Sequence, residues 1–337
     1  MFIRNGISPG GCRKGKNSII LSDEMPRAIA LGLIIAAAVV VTAFAAGIIP
    51  VAPRAPAVSQ TSLPEEQNEP SRAELVTNAL AAAYPRRVEK AEFHGGDWTV
   101  LIRGIRYYYA GGKMLPEELL DKADDYSPIA FYNYQNELPA WREPSPEQTA
   151  RFREMAGNRQ RSTRRRCPHF FDALWRAHDR DESYERVKSI RFLGHTVAVH
   201  YGILEELSLV EEHILTAAKT DPQIRFWVNN ISEMAGWSWR NVANSRSRSY
   251  HSYGVAIDIL PKSLGGRETY WLWASEKRPD WWNIPYEDRF HPPDAVVKAF
   301  EAYGFVWGGK WPFFDTMHFE YRPEVFILSG MDMAALR

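Results

Sequence analysis

The sequence predicts a protein of mixed α+β class, with helices through the middle of the chain and short strands towards the C-terminus. Apolar residues recur at helical spacing over residues 201–219. Residues 255–260 alternate in the manner of a strand, and His318–Tyr321 is also strand-like. The chain has 337 residues, 45% of them hydrophobic, which is enough for one or two domains with sizeable cores.

Other segments fill in this pattern. Residues 98–109 carry the β-branched and aromatic residues of a strand or hairpin, followed by the turn Gly111-Gly112. The stretch 139–146 is linker-like. Helical patterning is found at residues 73–84, 115–123, 147–234 and 293–303, the last closed by Gly304.

The N-terminal region predicts a membrane anchor. Residues 28–51 contain no charged side chain and are long enough to span a bilayer as a helix. Basic residues dominate before them, so the positive-inside rule places residues 1–27 in the cytoplasm and the rest of the chain in the periplasm or otherwise outside. A cleavable signal peptide is the alternative, because Ala43-Phe44-Ala45 fits a cleavage site and Met25 is a possible start. We favour the uncleaved anchor, followed by a Pro-, Ser- and Glu-rich linker over residues 52–72.

Charge and cysteine content exclude several classes of function. Lys+Arg and Asp+Glu both number 41, so no global attraction to nucleic acid is indicated. The two cysteines, Cys12 and Cys167, are too few for a disulfide framework or a thiolate zinc site. Five arginines lie within residues 159–166, and we interpret them as a solvated surface rather than a site for lipid headgroups or wall polymers.

A first polar motif stands at the predicted strand 255–260. It reads Ser-x-His-x-x-Gly-x-Ala-x-Asp and includes His251, Gly254 and Asp258. Asp258 lies on the face opposite Ile257, beside the small Ala256, which leaves room for an ion. Gly254 permits a bend that brings His251 back over the same face.

A second polar motif lies sixty residues further on. In the predicted strand His318–Tyr321, His318 and Glu320 share a face. Asp315 precedes His318 by three residues, on a turn after Pro312. This spacing places Asp315 beside whatever His318 binds.

Together the two motifs predict a catalytic zinc site. His251, Asp258 and His318 form a three-ligand set of the kind that leaves a fourth position for water. Bound Zn²⁺ activates that water, and a carboxylate outside the ligand set moves its proton. Asp315 is our candidate for this base. Glu320 is the second candidate, or else it accepts a hydrogen bond from a metal ligand and so orients it.

Arginines upstream of the first motif are candidates for stabilising the oxyanion or binding a substrate carboxylate. Arg240 is the first choice, ahead of Arg246 and Arg248. Ser249 lacks the elbow motif of a nucleophile, so we assign it to shaping the loop or to supporting a metal ligand by contact. The histidines without such a context are expected to be structural: His94, His169, His178, His195, His200, His213 and His291.

At these motifs the chain resembles the M15 peptidases, which include D-Ala-D-Ala carboxypeptidases and L-alanyl-D-glutamate endopeptidases. The resemblance covers about residues 225–321 and implies zinc ligation by His251, Asp258 and His318. It also implies a compact α+β fold in which a small antiparallel sheet flanked by helices carries the site. Two features look more like the endopeptidase branch: Asp315, and Trp307-Gly308-Gly309 ahead of it. The carboxypeptidase branch usually has Glu at the position of Asp315.

The predicted organisation is an α-rich module of unknown role at residues 73–200, followed by a zinc peptidase domain at residues 201–337. Tyr and Trp are frequent over residues 265–292, which form either one wall of the cleft or an aromatic core. The predicted function is zinc-dependent hydrolysis of peptidoglycan stem peptides by a membrane-tethered endopeptidase. Two alternatives stay open: a D-Ala-D-Ala carboxypeptidase of the same fold, and a non-catalytic wall-binding protein with a structural metal site.

Overall fold

The computed structural model describes residues 70–138, 140–161 and 163–336, and all of them belong to a single unit. Helix α1 (Arg72–Ala83) begins at Ser71, whose side chain accepts a hydrogen bond from the Glu74 amide. It buries Val76 and Leu80 on one face and ends just before Pro85, as predicted.

An antiparallel sheet follows α1 directly. Its strand order is β1-β2-β3-β4, and α1 packs against β1 and β2. The strands are β1 (Lys90–His94), β2 (Asp97–Ile102), β3 (Ile105–Tyr108) and β4 (Leu115–Pro116). The predicted hairpin at residues 98–109 is confirmed, whereas residues 115–123 form β4 and a 3₁₀ segment, Glu117–Asp125, instead of an α-helix.

The middle of the chain alternates helices with strands. Its elements are β5 (Tyr126–Ser127), α2 (Pro146–Arg161), β6 (Arg165–Arg166), α3 (His169–Trp175), α4 (Arg180–Glu185), β7 (Val187–Phe192) and β8 (His195–His200). Strands β7 and β8 form a hairpin, and β5 pairs with β6 in parallel. The prediction of an α-rich module at residues 73–200 is therefore wrong, because eight strands lie in this part of the chain.

Two helices lead into the second half. Helix α5 (Leu204–Thr220) confirms the predicted amphipathic helix and buries Leu207, Val210 and Ile214 at helical spacing. Helix α6 (Pro222–Asn229) begins with proline and is capped by the Asp221 side chain, which accepts from two backbone amides.

A second antiparallel sheet carries the predicted ligands. Its strand order is β11-β12-β10-β9, which confirms the small antiparallel sheet that the resemblance implied. The strands are β9 (Ile231–Ala235), β10 (Ala256–Pro261), β11 (Phe305–Trp307) and β12 (His318–Tyr321). Helical patterning was predicted up to residue 234, but β9 occupies the end of that stretch.

Three short helices complete the described chain: α7 (Trp271–Lys277), α8 (Asp294–Glu301) and α9 (Pro323–Leu328). Helix α8 lies within the predicted segment 293–303, and the chain turns after it at Gly304, which has a φ of +86°. Helix α9 packs against α1, where the Tyr84 hydroxyl donates to Glu324 Oε2 at 2.7 Å.

One hydrophobic core links the two halves of the described chain. It contains Val76 and Leu80 of α1, Trp175 of α3 and Val199 of β8, together with Ile257 of the second sheet. The predicted boundary at residue 200 falls inside this core.

The predicted cytoplasmic segment, membrane anchor and most of the linker (residues 1–69) lie outside the described residues. Within residues 70–336, no helix combines the length and the apolar character needed to cross a membrane.

Candidate metal centre

The second sheet brings Asp258 and His318 together. Strands β10 and β12 are antiparallel, and these two residues are direct partners in the register. Directly opposed residues in an antiparallel pair project from the same face of the sheet. His318 Nδ1 accordingly lies 2.8 Å from Asp258 Oδ1.

A tight turn before β10 supplies the third predicted ligand. His251 lies in a 3₁₀ turn, Tyr250–Tyr253, that begins at Ser249, whose hydroxyl accepts a hydrogen bond from the His251 amide. The turn ends at Gly254, which has a φ of +69° and contacts the His200 backbone. The bend predicted at Gly254 and the loop-shaping role of Ser249 are both seen here.

The ligand atoms of these three residues converge. His251 Nε2 lies 3.2 Å from Asp258 Oδ2 and 3.3 Å from His318 Nδ1. All three ligand atoms lie within 4.8 Å of one another. Metal–ligand bonds of about 2.0–2.1 Å at tetrahedral angles separate neighbouring ligand atoms by about 3.3 Å. The spacing therefore fits one small divalent cation.

The outer nitrogens of both imidazoles are fixed by acceptors. His251 Nδ1 donates to the Gly236 carbonyl at 2.6 Å, and His318 Nε2 donates to Glu320 Oε2 at 3.1 Å. In the neutral form of each ring, the hydrogen bond assigns the proton to the outer nitrogen, so the inner lone pair points into the cluster. Acceptors behind metal-binding histidines commonly orient the ring in this way.

The electrostatics of the cluster favour a positive charge at its centre. Burial alone raises the pKa of Asp258, but hydrogen bonds with His251 and His318 outweigh burial and lower it well below its usual range. Burial likewise lowers the pKa of His318, while Asp258 and Glu320 together raise it well above 6.5. A bound cation would occupy the place of that extra proton.

Asp315 is placed beside the cluster without being part of it. Its backbone carbonyl accepts from the His318 amide at 3.2 Å, and its Oδ1 atom is buried with no hydrogen-bond partner in the described chain. Burial is the main reason why the pKa of Asp315 is raised to about 7, and the Asp258 carboxylate raises it further. A carboxyl group with this pKa can both accept and return a proton near neutral pH.

Glu320 is engaged on both oxygens. Its Oε2 atom accepts from His318, and its Oε1 atom lies 3.4 Å from Arg322 Nη1. Arg322 is itself held by the Tyr250 hydroxyl and by an ion pair with Glu324. This arrangement suits the supporting role predicted for Glu320 better than the role of base.

The three arginines suggested for transition-state stabilisation lie in different surroundings. Arg240 Nη2 lies 3.8 Å from Asp258 Oδ2, and the side chain is partly exposed beside the cluster. Arg248 points elsewhere, because it pairs with Asp172 and stacks on Trp239. Arg246 is exposed and lines neither of the two cavities at the cluster.

Two cavities meet at this cluster. The larger has a volume of about 1020 Å³ and reaches His251 and His318, while the smaller, of about 430 Å³, reaches Asp258. Both are lined by Arg240, Ala243, Tyr270 and Asp315. The candidate base therefore lines both cavities.

The aromatic segment, residues 265–292, is both a core and a wall. Trp271, Trp281 and Trp282 form a small cluster of their own with Phe314. Tyr270 pairs through its backbone with Asp315, and Tyr270, Trp271, Trp282 and Tyr286 line the larger cavity. The two interpretations given to this segment are thus both correct.

The opposite wall of the larger cavity comes from upstream of residue 200. Trp311 Nε1 donates to the Tyr132 hydroxyl at 2.7 Å, and the Trp311 ring centre lies 5.5 Å from that of His318. Lys310 Nζ donates to the backbone carbonyls of Gln135 and Asn136 at 3.0 and 2.7 Å. Residues 128–138, to which no role was assigned from the sequence, are therefore one side of the cleft.

Comparison with known families agrees with this geometry. Residues 243–321 match a model of the M15 peptidases that is described as D-alanyl-D-alanine carboxypeptidase. We refer to these residues, after the family whose model they match, as the M15 segment. The M15 segment contains His251, Asp258, Asp315 and His318, and the resemblance seen in the sequence is confirmed.

A second family model covers part of the upstream sheet. Residues 76–131 match a domain of unknown function, and so lie wholly before the M15 segment. Comparisons with curated proteins and with solved structures gave no match.

Several residues at the site were not found from the sequence. Gly236 offers only a backbone carbonyl, which no sequence pattern reveals; a Cβ at this position would overlap the Ala198 carbonyl. Arg166, part of the arginine run taken as solvated surface, instead lines the larger cavity and lies over the Tyr250 ring. Arg289 lines the same cavity, and only its position in the aromatic segment could have indicated it.

Proposed function

We propose that this protein is a zinc-dependent peptidase that hydrolyses peptidoglycan stem peptides, cutting within the peptide between L-Ala and D-Glu. The observation that carries the proposal is the convergence of His251, Asp258 and His318 beside the unengaged Oδ1 atom of Asp315. The match to the M15 peptidases supports the class of substrate.

The residues divide the proposed reaction between them. Bound zinc would polarise the scissile carbonyl and lower the pKa of the attacking water to about 7. Asp315 Oδ1 accepts the proton of that water and passes it to the leaving amine nitrogen. Arg240, whose Nη2 atom lies 3.8 Å from Asp258 Oδ2, would donate to the carbonyl oxygen as negative charge develops on it.

The shape of the site favours an endopeptidase. An enzyme that cuts within a peptide needs room for substrate on both sides of the scissile bond. Asp315 and Arg240 line both cavities, and we assign one side of the peptide to each cavity. The family model's description favours the second candidate, a D-Ala-D-Ala carboxypeptidase, for which the smaller cavity would hold only the terminal residue.

Mass analysis of digested L-Ala-γ-D-Glu-L-Lys-D-Ala-D-Ala separates the two candidates. Release of L-Ala from the N-terminus is expected for the endopeptidase, and release of D-Ala from the C-terminus would establish the carboxypeptidase. Zinc content and hydrolysis should both be lost in His251→Ala. Asp315→Asn should retain zinc while hydrolysis falls by about 10²-fold or more.

The same variants test a non-catalytic role. A wall-binding protein with a structural metal would retain zinc in the native chain and show no hydrolysis of any stem peptide. Equal activity of Asp315→Asn and the native protein would instead remove Asp315 from the mechanism.

We further propose that residues 28–51 tether the peptidase to the membrane, with residues 70–337 on the outer side. The uncharged stretch and the basic residues before it support this topology. The full chain should remain with membranes after a high-salt wash, whereas a chain starting at residue 70 should not. If expression of the full chain instead yields a shortened product in the soluble fraction, residues 28–51 belong to a cleaved signal peptide.

A further inference from the structure

Arg289 is a buried cation in the wall of the larger cavity. Only 7% of its surface is exposed, and its side chain lines the cavity. Its guanidinium lies 4.3 Å from the Phe314 ring centre and 5.0 Å from that of Tyr286. Phe314 directly precedes Asp315 in the chain, and Asp315 lines the same cavity as Arg289.

The guanidinium of Arg289 is fixed on one edge only. Its Nε and Nη2 atoms donate to the Ile284 carbonyl at 3.0 and 2.7 Å. Within the described residues, Nη1 makes no hydrogen bond and no carboxylate oxygen lies within 4 Å of the group. The free edge has the fork geometry that binds a carboxylate through two hydrogen bonds.

Three other cations of the cavity already have carboxylate partners. Arg322 pairs with Glu320 and Glu324, Lys310 pairs with Glu301, and Arg240 lies near Asp258. Arg289 differs because burial lowers its pKa to about 10, and only Tyr286, not a carboxylate, acts against that effect. A buried arginine without an acidic partner is stabilised when a ligand brings the missing negative charge.

We propose that Arg289 is a carboxylate-binding site of the cleft and holds a negatively charged group of the peptide beside the scissile bond. This rests on the proposed function and adds a determinant of specificity to it. Two carboxylates of a stem peptide fit this chemistry: the α-carboxylate of D-Glu and the C-terminal carboxylate. An uncharged peptide of the same shape would leave the guanidinium buried without a counter-charge.

The test compares three peptides. The first is L-Ala-γ-D-Glu-L-Lys-D-Ala-D-Ala, the second carries an amide in place of the D-Glu α-carboxylate, and the third carries a C-terminal amide. Binding to the zinc-loaded Asp315→Asn protein is followed by the fluorescence of tryptophans that line the cleft, such as Trp271 and Trp282. One of the two amide peptides should bind about 10- to 100-fold more weakly than the first peptide. The amide that binds more weakly identifies the carboxylate that Arg289 holds.

Arg289→Gln, added to the same protein, should abolish this difference between acid and amide. Arg289→Lys keeps the positive charge but loses the pair of parallel donors. This variant should therefore retain part of the difference in affinity between acid and amide. The ratio of the two dissociation constants does not depend on the fraction of protein that is folded, so partial misfolding of a variant does not mimic the result. Arg142→Gln is the matched control, because Arg142 lines the same cavity but is exposed; the ratio should remain.

The outcomes separate the two proposals. If acid and amide bind equally, or if Arg289→Gln weakens all three peptides by the same factor, the carboxylate site is wrong even when the native enzyme hydrolyses the peptide. In the opposite case, the difference in affinity between acid and amide depends on Arg289 while the native zinc-loaded protein hydrolyses none of the peptides. That result would support the carboxylate site and contradict the peptidase function.

Discussion

At the scale of single residues, the cluster depends on groups that stand behind the ligands as much as on the ligands themselves. The Gly236 carbonyl and the Glu320 carboxylate each hold the outer nitrogen of an imidazole. Without them either ring could turn or place its proton on the inner nitrogen. The orientation of the inner lone pairs therefore depends on three side chains, those of His251, His318 and Glu320, and on one backbone carbonyl, that of Gly236.

Glu320→Gln tests this orientation and the role of base together. The amide keeps the shape of the carboxylate but weakens the hydrogen bond to His318 Nε2, so the zinc dissociation constant should rise about 10- to 100-fold. Competition with a chromophoric chelator measures it. Glu324→Gln is the control, because Glu324 pairs with Arg322 and does not contact His318. Lost hydrolysis with unchanged zinc affinity would make Glu320 the base in place of Asp315.

His200 predicts how stability depends on pH. Its Nε2 atom donates to the Trp175 carbonyl at 2.9 Å, while Nδ1 accepts from the Gly202 amide, also at 2.9 Å. Only the neutral ring can do both, and burial lowers the pKa of His200 from 6.5 to about 4. Between these values the unfolded chain binds a proton that the folded chain does not, so the free energy of unfolding falls as the pH drops, by about 3 kcal/mol in total.

Urea unfolding between pH 4 and 7, with a chelator present, measures this loss. His200→Gln should be less stable at pH 7 but should lose less stability on acidification than the native chain. His195→Gln, in the same hairpin, should keep the native dependence. Parallel pH curves for His200→Gln and the native protein would contradict the assignment.

At the scale of elements, the sequence predicted best what is local. The strands carrying Asp258 and His318 followed from alternation, and α5 followed from its apolar spacing. The hairpin β7–β8 was missed because its two-residue turn, Leu193-Gly194, has φ values of +47° and +84° without the usual Asn-Gly or Asp-Gly signal. The upstream wall of the cleft could not be predicted, since it joins residues more than a hundred positions apart, as Tyr132 and Trp311 do.

The wall at residues 128–138 is held by a buried polar group. The Tyr134 hydroxyl donates to Glu301 Oε1 at 2.5 Å and accepts from the Trp307 amide at 3.0 Å. Lys310 Nζ lies 2.5 Å from the same Glu301 oxygen. These bonds attach the upstream wall to α8 and β11, and so to the sheet of the metal cluster.

Tyr134→Phe should loosen that wall. The change leaves the Trp307 amide unsatisfied and removes a donor from buried Glu301, so the free energy of unfolding should fall by about 1–3 kcal/mol. The Michaelis constant for a stem peptide should rise, while zinc affinity stays the same. Tyr184→Phe, at a side chain that is 63% exposed, should change stability by less than about 0.5 kcal/mol. Equal stability of the two variants would mean that the Tyr134 hydroxyl does not hold the wall.

At the scale of the whole molecule, the upstream residues are part of the peptidase rather than an appendage. The Trp237 amide donates to the Ala198 carbonyl at 2.6 Å, and the His200 amide donates to the Gly254 carbonyl at 2.8 Å. These bonds place β8 against the sheet and turn that carry the ligands. Trp175 also packs on Tyr321, with 6.1 Å between ring centres.

A chain of residues 201–337 alone should therefore fail to fold. It would expose the apolar surface that Val76, Leu80, Trp175 and Val199 cover, and each such side chain contributes about 1.5–3 kcal/mol by burial. Their sum is comparable with the 5–15 kcal/mol that typically stabilises a whole domain. Circular dichroism with thermal melting should show a cooperative transition for residues 70–337 and none for residues 201–337. A cooperative transition and bound zinc in the shorter chain would restore the boundary at residue 200 and reduce the upstream residues to a separate module.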